Sequence, residues 1–484
     1  MKHKKSIRKN YIYNLLYQIL VIIIPIITIP YISRVLGARN IGIYGYTLSI
    51  SAYFILAGSL GIALYGQREI AYVQNNKSKY SKTFWEILLL KIISMTISTI
   101  IFYFLFVKGN NDYTIYYKIL LLELLGNAID INWFFQGLEE FGKTVFRNLI
   151  IRIISLICIF IFVKTKNDLI IYFIIYVISI ILGNLSLWMY IPKYIKKVDF
   201  RKLEILKHIK PTLVLFIPQA AIQIYTVLDR TMIGTIIPEK AEVGFYTQGE
   251  KIIKLLLTII TAMGTVMLPR IANRFAKQDN KAINIYINKS FNLVFFLAFP
   301  LTFGIIAVAN GFVPLFFGPG YDKVISIMMI LSPIIIIIGM SNVIGMQYLL
   351  PTKKQKEFTI SVICGSIVNF TINLFLIRLY GAIGAAIATV IAELTVTTIQ
   401  INYVKTIFNF KKIINISKNY FIAALVMYLT CYIVSLGVEN SISSILYQVA
   451  IGAITYLGLL YILKDKFFIE VKDTIIRVLS RIIK

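Results

Sequence analysis

Inside otherwise apolar runs the sequence places six cations, Arg34, Lys91, Arg152, Arg230, Lys251 and Lys254, and five carboxylates, Glu123, Asp130, Asp229, Glu250 and Glu393. If those runs cross a membrane, each charge costs about 2.5–3.5 kcal/mol on insertion scales, so it turns towards protein or water rather than lipid. In the first half of the chain the deep cations cannot all find acids nearby in sequence. A surplus of positive charge in a cavity attracts an anion. The planar guanidinium donates two parallel hydrogen bonds and matches phosphate, so Arg34, Arg152 and Arg230 point to an anionic solute or a lipid phosphate headgroup. Two plainer roles stand beside that one for each residue: snorkelling to the interface, or a structural ion pair such as Asp229 with Arg230.

No catalytic centre accompanies these charges. Cys158, Cys364 and Cys431 lie in apolar runs without metal-ligand spacing, and His3 and His208 sit in basic stretches. There is no nucleophile elbow and no phosphate-cradling glycine loop. The chain is expected not to be an enzyme and to need no cofactor.

The elements that must position the charges follow from hydropathy. Of the 484 residues 58% are hydrophobic, above the 45–50% or so of soluble domains. Apolar runs long enough to cross a hydrocarbon core about 30 Å thick recur from end to end. Such runs must be helices, since only a helix satisfies its own backbone in lipid. Stretches such as 331-LSPIIIIIGM-340 lack the alternation of a barrel strand. The reading is an all-α polytopic membrane protein with about 14 spans, at 11–36, 42–65, 84–107, 115–136, 145–163, 169–190, 211–236, 244–268, 285–309, 324–350, 358–377, 382–404, 419–437 and 442–463.

The formal net charge of +28 does not imply nucleic acid. Lysines and arginines collect in loops between apolar runs, about 36 on one side and about 8 on the other, which is the positive-inside pattern. Both termini are expected in the cytoplasm of a cell-membrane protein. The basic start, 1-MKHKKSIRKN-10, precedes a run too long for a signal core. Two inner segments, 191–210 and 464–484, carry apolar residues at helical spacing and are expected to lie along the inner surface.

The chain also repeats. The segment 41-IGIY-44 matches 243-VGFY-246, and 67-QREIA-71 matches 269-PRIAN-273 at the same offset. An offset of six spans gives two halves of like orientation, the parallel repeat of transporters that rock two bundles about a cavity. The expected organisation is a six-helix lobe at 11–190, a linker at 191–210, a second six-helix lobe at 211–404, an appended helix pair at 419–463 and a tail at 464–484.

With 30-PYISRVLGARNIGIYGYTLSI-50, 130-DINWFFQGLEEFGKTVFRN-148, 264-GTVMLPRIAN-273 and 381-GAIGAAIATVIAEL-394, the chain resembles the flippases for lipid-linked repeat units of capsule or O-antigen. These belong to the multidrug/oligosaccharidyl-lipid/polysaccharide exporter superfamily. The resemblance implies an undecaprenyl-pyrophosphate-linked oligosaccharide as substrate, carried to the outer leaflet for polysaccharide synthesis. Membrane lipids, glycosyltransferases and a polymerase are the implied partners. Arg34, Arg152, Arg230, Lys254, Asp130 and Gln136 are the expected substrate contacts. Related lipid II flippases further imply a sodium site at Asp229, Asn369, Asn373 and Thr389, although Asn373 stands where a carboxylate is expected; coupling to sodium or protons follows. A multidrug antiporter of the same superfamily and a teichoic-acid or lipid II-type flippase are the alternatives. A membrane glycosyltransferase or polymerase is disfavoured, because no outer loop exceeds about a dozen residues.

Overall fold

The computed structural model describes residues 7–109, 112–437 and 441–482, and among them every regular element is helical. The helices are α1 (Ile7–Ser59), α2 (Ile62–Val73), α3 (Lys77–Phe102), α4 (Thr114–Ala128), α5 (Asn132–Gly137), α6 (Phe141–Phe162), α7 (Leu169–Trp188), α8 (Ile191–Tyr194), α9 (Ile209–Ile236), α10 (Ala241–Ala276), α11 (Asn280–Phe317), α12 (Asp322–Leu331), α13 (Ile334–Ser341), α14 (Gln355–Tyr380), α15 (Ala382–Val404), α16 (Phe410–Leu436), α17 (Ile442–Ile462) and α18 (Lys466–Ile482). Every expected span coincides with helix. Ten helical stretches among the described residues are long and apolar enough to cross a membrane.

Of the 14 expected spans, five and seven are helical as α6 and α9 but are not among the ten qualifying stretches, and the remaining difference has local causes early in the chain. Spans one and two run together as α1, broken only at Gly37, whose φ of 77° is one that L side chains rarely adopt. Span four is interrupted at residues 129–131, so α4 is 15 residues long and α5 follows as a separate short helix.

The chain divides into two compact units, one ending at Gly244 and one beginning at Phe245. In the first unit α1 packs against α3, α4, α6 and α9. At Gly234 on α9 a Cβ would lie 2.1 Å from the Tyr46 ring, so the contact with α1 tolerates no side chain there. The turn after α9 is tied by Lys240, which donates to Gly234 O at 2.5 Å and lies over the Tyr46 ring at 5.0 Å. Burial lowers the Lys240 pKa. In the second unit α14 and α15 form a hairpin, and α11 packs on α16 and α17. The tail helix α18 docks through Phe467 and Phe468 on Phe296 and through Lys289–Glu470 at 2.9 Å.

Isoleucines, leucines and aromatics line the outside. Ile97, Ile101, Phe104 and Leu105 are exposed on one helix, and Leu429, Ile433 and Leu436 on another. Apolar patches of this extent are the surface a bilayer covers.

The segment 191–210 is not one helix. After α8 it makes two 3₁₀ turns, Phe200–Lys202 and Ile205–His208, joined by extended residues. Its anchor is Glu86 on α3, which is fully buried. Glu86 accepts from Glu204 N at 2.8 Å and lies 3.1 Å from Lys207 Nζ and 3.0 Å from His208 Nε2. Tyr65 OH faces the other ring nitrogen of His208 at 2.6 Å. The Lys207 hydrogen bond holds Glu204 below the usual carboxylate range. Buried charge at Glu86 is thus met by donors from the linker, as burial requires.

Candidate functional site

The first unit encloses a cavity of about 940 Å³. It is walled by α1, α4, α6, α7 and α9, with the break between α4 and α5 at one edge. The lining is mixed: Ile24, Ile55, Leu56 and Ile151 beside Glu123, Asp130, Arg147, Arg152 and several carboxamides.

The chain interruption at residues 129–131 sets Asp130. Its carboxylate accepts from Asn132 N at 3.0 Å and from the Asn132 side-chain amide. Lys91, reaching from α3, donates to Asp130 O at 2.9 Å and lies 3.4 Å from Oδ2. Glu123, buried on α4, accepts from Ser51 Oγ at 3.0 Å and from Tyr176 OH at 2.8 Å. Tyr44 packs against Tyr172 and Tyr176, with ring centroids 4.8 and 5.8 Å away, and holds that wall.

Arg147 and Arg152 come from α6. Arg147 donates to Gly183 O on α7 at 2.8 Å and to Asn148 Oδ1 at 3.0 Å, which fixes the guanidinium against the cavity. With Lys91, the region holds three cations against the two carboxylates Glu123 and Asp130. The arrangement can hold an anion, with arginine forks for its oxygens.

The expected contacts are distributed as follows. Arg152 and Asp130 line the cavity. Gln136 is half-buried on α5, Arg34 is exposed on α1, and Arg230 is half-buried on α9 with a long hydrogen bond to Thr226 O at 3.5 Å; none of these three is among the lining residues. Lys254 lies on α10 in the second unit, 2.6 Å from Glu250 one turn away. Arg147 is the lining cation not singled out from sequence. It stands within the 130–148 motif, near the start of its helix, where a basic residue reads as interfacial.

The expected sodium ligands fall in both units. Asp229 is buried on α9 in the first; Asn369 and Asn373 are buried on α14, and Thr389 is on α15, in the second. Asn373 Nδ2 donates to Asn369 Oδ1 at 3.1 Å, and Thr389 Oγ1 donates to Ala385 O at 2.9 Å and meets Tyr246 OH at 3.0 Å. Among the described residues no cluster of three or more His, Cys, Asp or Glu could hold a metal ion.

The motif 133-WFFQGLEEF-141 serves packing. Trp133, Phe134 and Phe135 are buried with Phe84, Ile87 and Leu88 in one apolar cluster. Gly66 on α2 lets Trp133 in: a Cβ there would sit 2.5 Å from the indole. The motif docks α5 on α2 and thereby fixes the edge that carries Asp130 and Asn132.

A family model described as polysaccharide biosynthesis protein matches residues 7–275. A protein of Escherichia coli (strain K12) named "Putative O-antigen transporter" is 28% identical over 408 residues, 83% of this chain and 98% of that one. In fold the chain is similar to the lipid II flippase MurJ in its inward closed conformation, with a TM-score of 0.66 at 23% identity over 91% of this chain and 98% of that chain. It is also similar to an inward-facing multidrug resistance MATE family transporter, with a TM-score of 0.64 at 13% identity over 84% and 96%. The all-helical, multi-pass membrane reading and the resemblance to repeat-unit flippases of the exporter superfamily are borne out.

Proposed function

This chain belongs to the polysaccharide biosynthesis protein family, and from that premise we propose that it is a flippase carrying a lipid-linked oligosaccharide to the outer leaflet for cell-surface polysaccharide assembly. The observation that carries the reading is the cavity inside an apolar helical unit, where Arg147 and Arg152 stand on one helix in a lining that also holds Glu123 and Asp130. Two arginine forks side by side suit a phosphate-bearing headgroup, which favours the flippase over the antiporter alternative.

The finer reading names undecaprenyl pyrophosphate as the lipid carrier, with capsule or a similar polymer as the product. Arg152 and Arg147 grip the pyrophosphate, with Asp130 at the cavity edge; Arg34, Arg230, Lys254 and Gln136, which do not line this cavity, are proposed as contacts elsewhere on the transport path. The 14 spans form two six-helix lobes in parallel repeat, at 11–190 and 211–404, with a helix pair at 419–463. Both termini are cytoplasmic, and transport proceeds by alternating access. Glycosyltransferases supply the substrate and a polymerase consumes it. The proposed coupling ion is sodium, with protons as the alternative.

The test is complementation of a deletion in the native host by stably expressed variants. A charge-assisted hydrogen bond is worth about 1.5–3 kcal/mol, so Arg152→Ala should cut polymer export by about tenfold or more. Arg152→Lys should restore only part, because it keeps the charge and loses the fork. Wild-type export by Arg152→Ala would remove the phosphate-gripping role.

A further inference from the structure

We infer that Gln219 and Gln223, one turn apart on α9, read the sugar of the substrate rather than its phosphate. The inference rests on the flippase reading above and concerns a different part of the same cavity.

Both side chains line the cavity. The Gln219 Nε2 atom is buried and meets no acceptor among the described residues. An unmet buried donor costs about 1–3 kcal/mol. It is tolerated where a ligand supplies the acceptor. A carboxamide donates and accepts at once and carries no charge. Its N–H can meet a phosphate oxygen, but its paired donor and acceptor match a hydroxyl group, which also donates and accepts, more fully than an anion that only accepts. Two residues four apart on a helix present neighbouring ends, so Gln219 and Gln223 can address adjacent hydroxyls of one ring.

The opposite wall has the same character. Asn127 donates one side-chain N–H to Glu123 O at 2.9 Å, and Asn184 one to Gly126 O at 2.8 Å. Each keeps a second N–H and a carbonyl oxygen that can meet a sugar hydroxyl. The arginines stand on α6 and the glutamines on α9. The volume of about 940 Å³ lies near the top of the usual range for small-ligand sites, about 300–1,000 Å³, so a pyrophosphate does not fill it and a sugar has room beside it.

The experiment compares two probes on the purified full chain: undecaprenyl pyrophosphate without sugar, and the lipid-linked repeat unit extracted from the native host. Binding is measured for wild type, Gln219→Leu, Gln219→Asn and Arg152→Ala. Gln219→Leu should weaken the glycosylated probe by about tenfold and leave the sugar-free probe within about twofold. Gln219→Asn keeps the carboxamide on a shorter arm; it should shift the same probe less, and it carries the test if the leucine variant fails to fold. Equal loss on both probes, or no loss on either, overturns the inference and leaves Gln219 Nε2 a donor satisfied by water. Arg152→Ala should weaken both probes. If it weakens neither, the phosphate reading fails, while the contrast between probes in the Gln219 variants still reports on sugar recognition.

Discussion

Replacing Lys91 with methionine removes a buried cation and leaves a carboxylate beside the cavity without its counter-charge. The Lys91 side chain is 5% exposed and that of Asp130 24%, with Nζ 3.4 Å from Oδ2 and 2.9 Å from the Asp130 backbone oxygen. Breaking a buried pair from one side costs about 3–5 kcal/mol, because the remaining charge is stranded. Asp130 keeps the donors of Asn132 and some contact with water, so the cost should lie at the lower end, about 3 kcal/mol. The double variant Lys91→Met with Asp130→Asn leaves no charge behind and should recover most of that loss. Denaturant titration of the purified protein, followed by tryptophan fluorescence, reads it directly. The chain's three tryptophans, Trp85, Trp133 and Trp188, all belong to the adjoining apolar cluster, and Trp188 Nε1 donates to Ile129 O at 2.8 Å. A Lys91→Met protein as stable as wild type, or a double variant no better than the single one, would refute the reasoning.

Glu86→Ala should release the linker from α3, since it removes the acceptor shared by Glu204 N, Lys207 and His208. Trypsin cleavage at Lys196, Lys197 or Arg201 should then accelerate by about tenfold, and an unchanged rate would show that the 3₁₀ turns hold without it. For the proposed orientation, Lys354→Cys should resist an impermeant thiol reagent in whole cells and Ser441→Cys should react. Residues 438–440 of the same loop lie outside the described residues. Reaction of Lys354→Cys from outside would reverse the inferred sidedness.

Hydropathy made the helical class and the placement of the long apolar helices legible, because a bilayer demands such helices whatever the packing. The interruptions were less legible. The break at Gly37 falls between the expected spans 11–36 and 42–65, but residues 129–131 interrupt the expected span 115–136, and only contacts distant in sequence explain that break: Lys91 and Asp130 are brought together across 39 residues. His208 reads as part of a basic loop, yet it is buried between Glu86 and Tyr65. The aromatic residues 133–135, part of a stretch that carries the family resemblance, are core. Arg152 and Asp130 could be picked from charge at membrane depth, whereas Arg147 could not, since only its hydrogen bond to Gly183 O shows that it is held at the cavity wall.

The most direct measurement is transport by the purified chain in liposomes loaded with the lipid-linked repeat unit of the native host. An impermeant glycan-oxidising reagent added outside reports the fraction of sugar that has crossed. Wild-type protein should bring nearly all of the lipid-linked sugar within reach of the reagent, and the Arg147→Ala/Arg152→Ala double variant should do so at least about tenfold more slowly. Accessibility unchanged by the wild-type protein, or equal rates for wild type and the double variant, would contradict a flippase that grips its substrate through the arginines of α6.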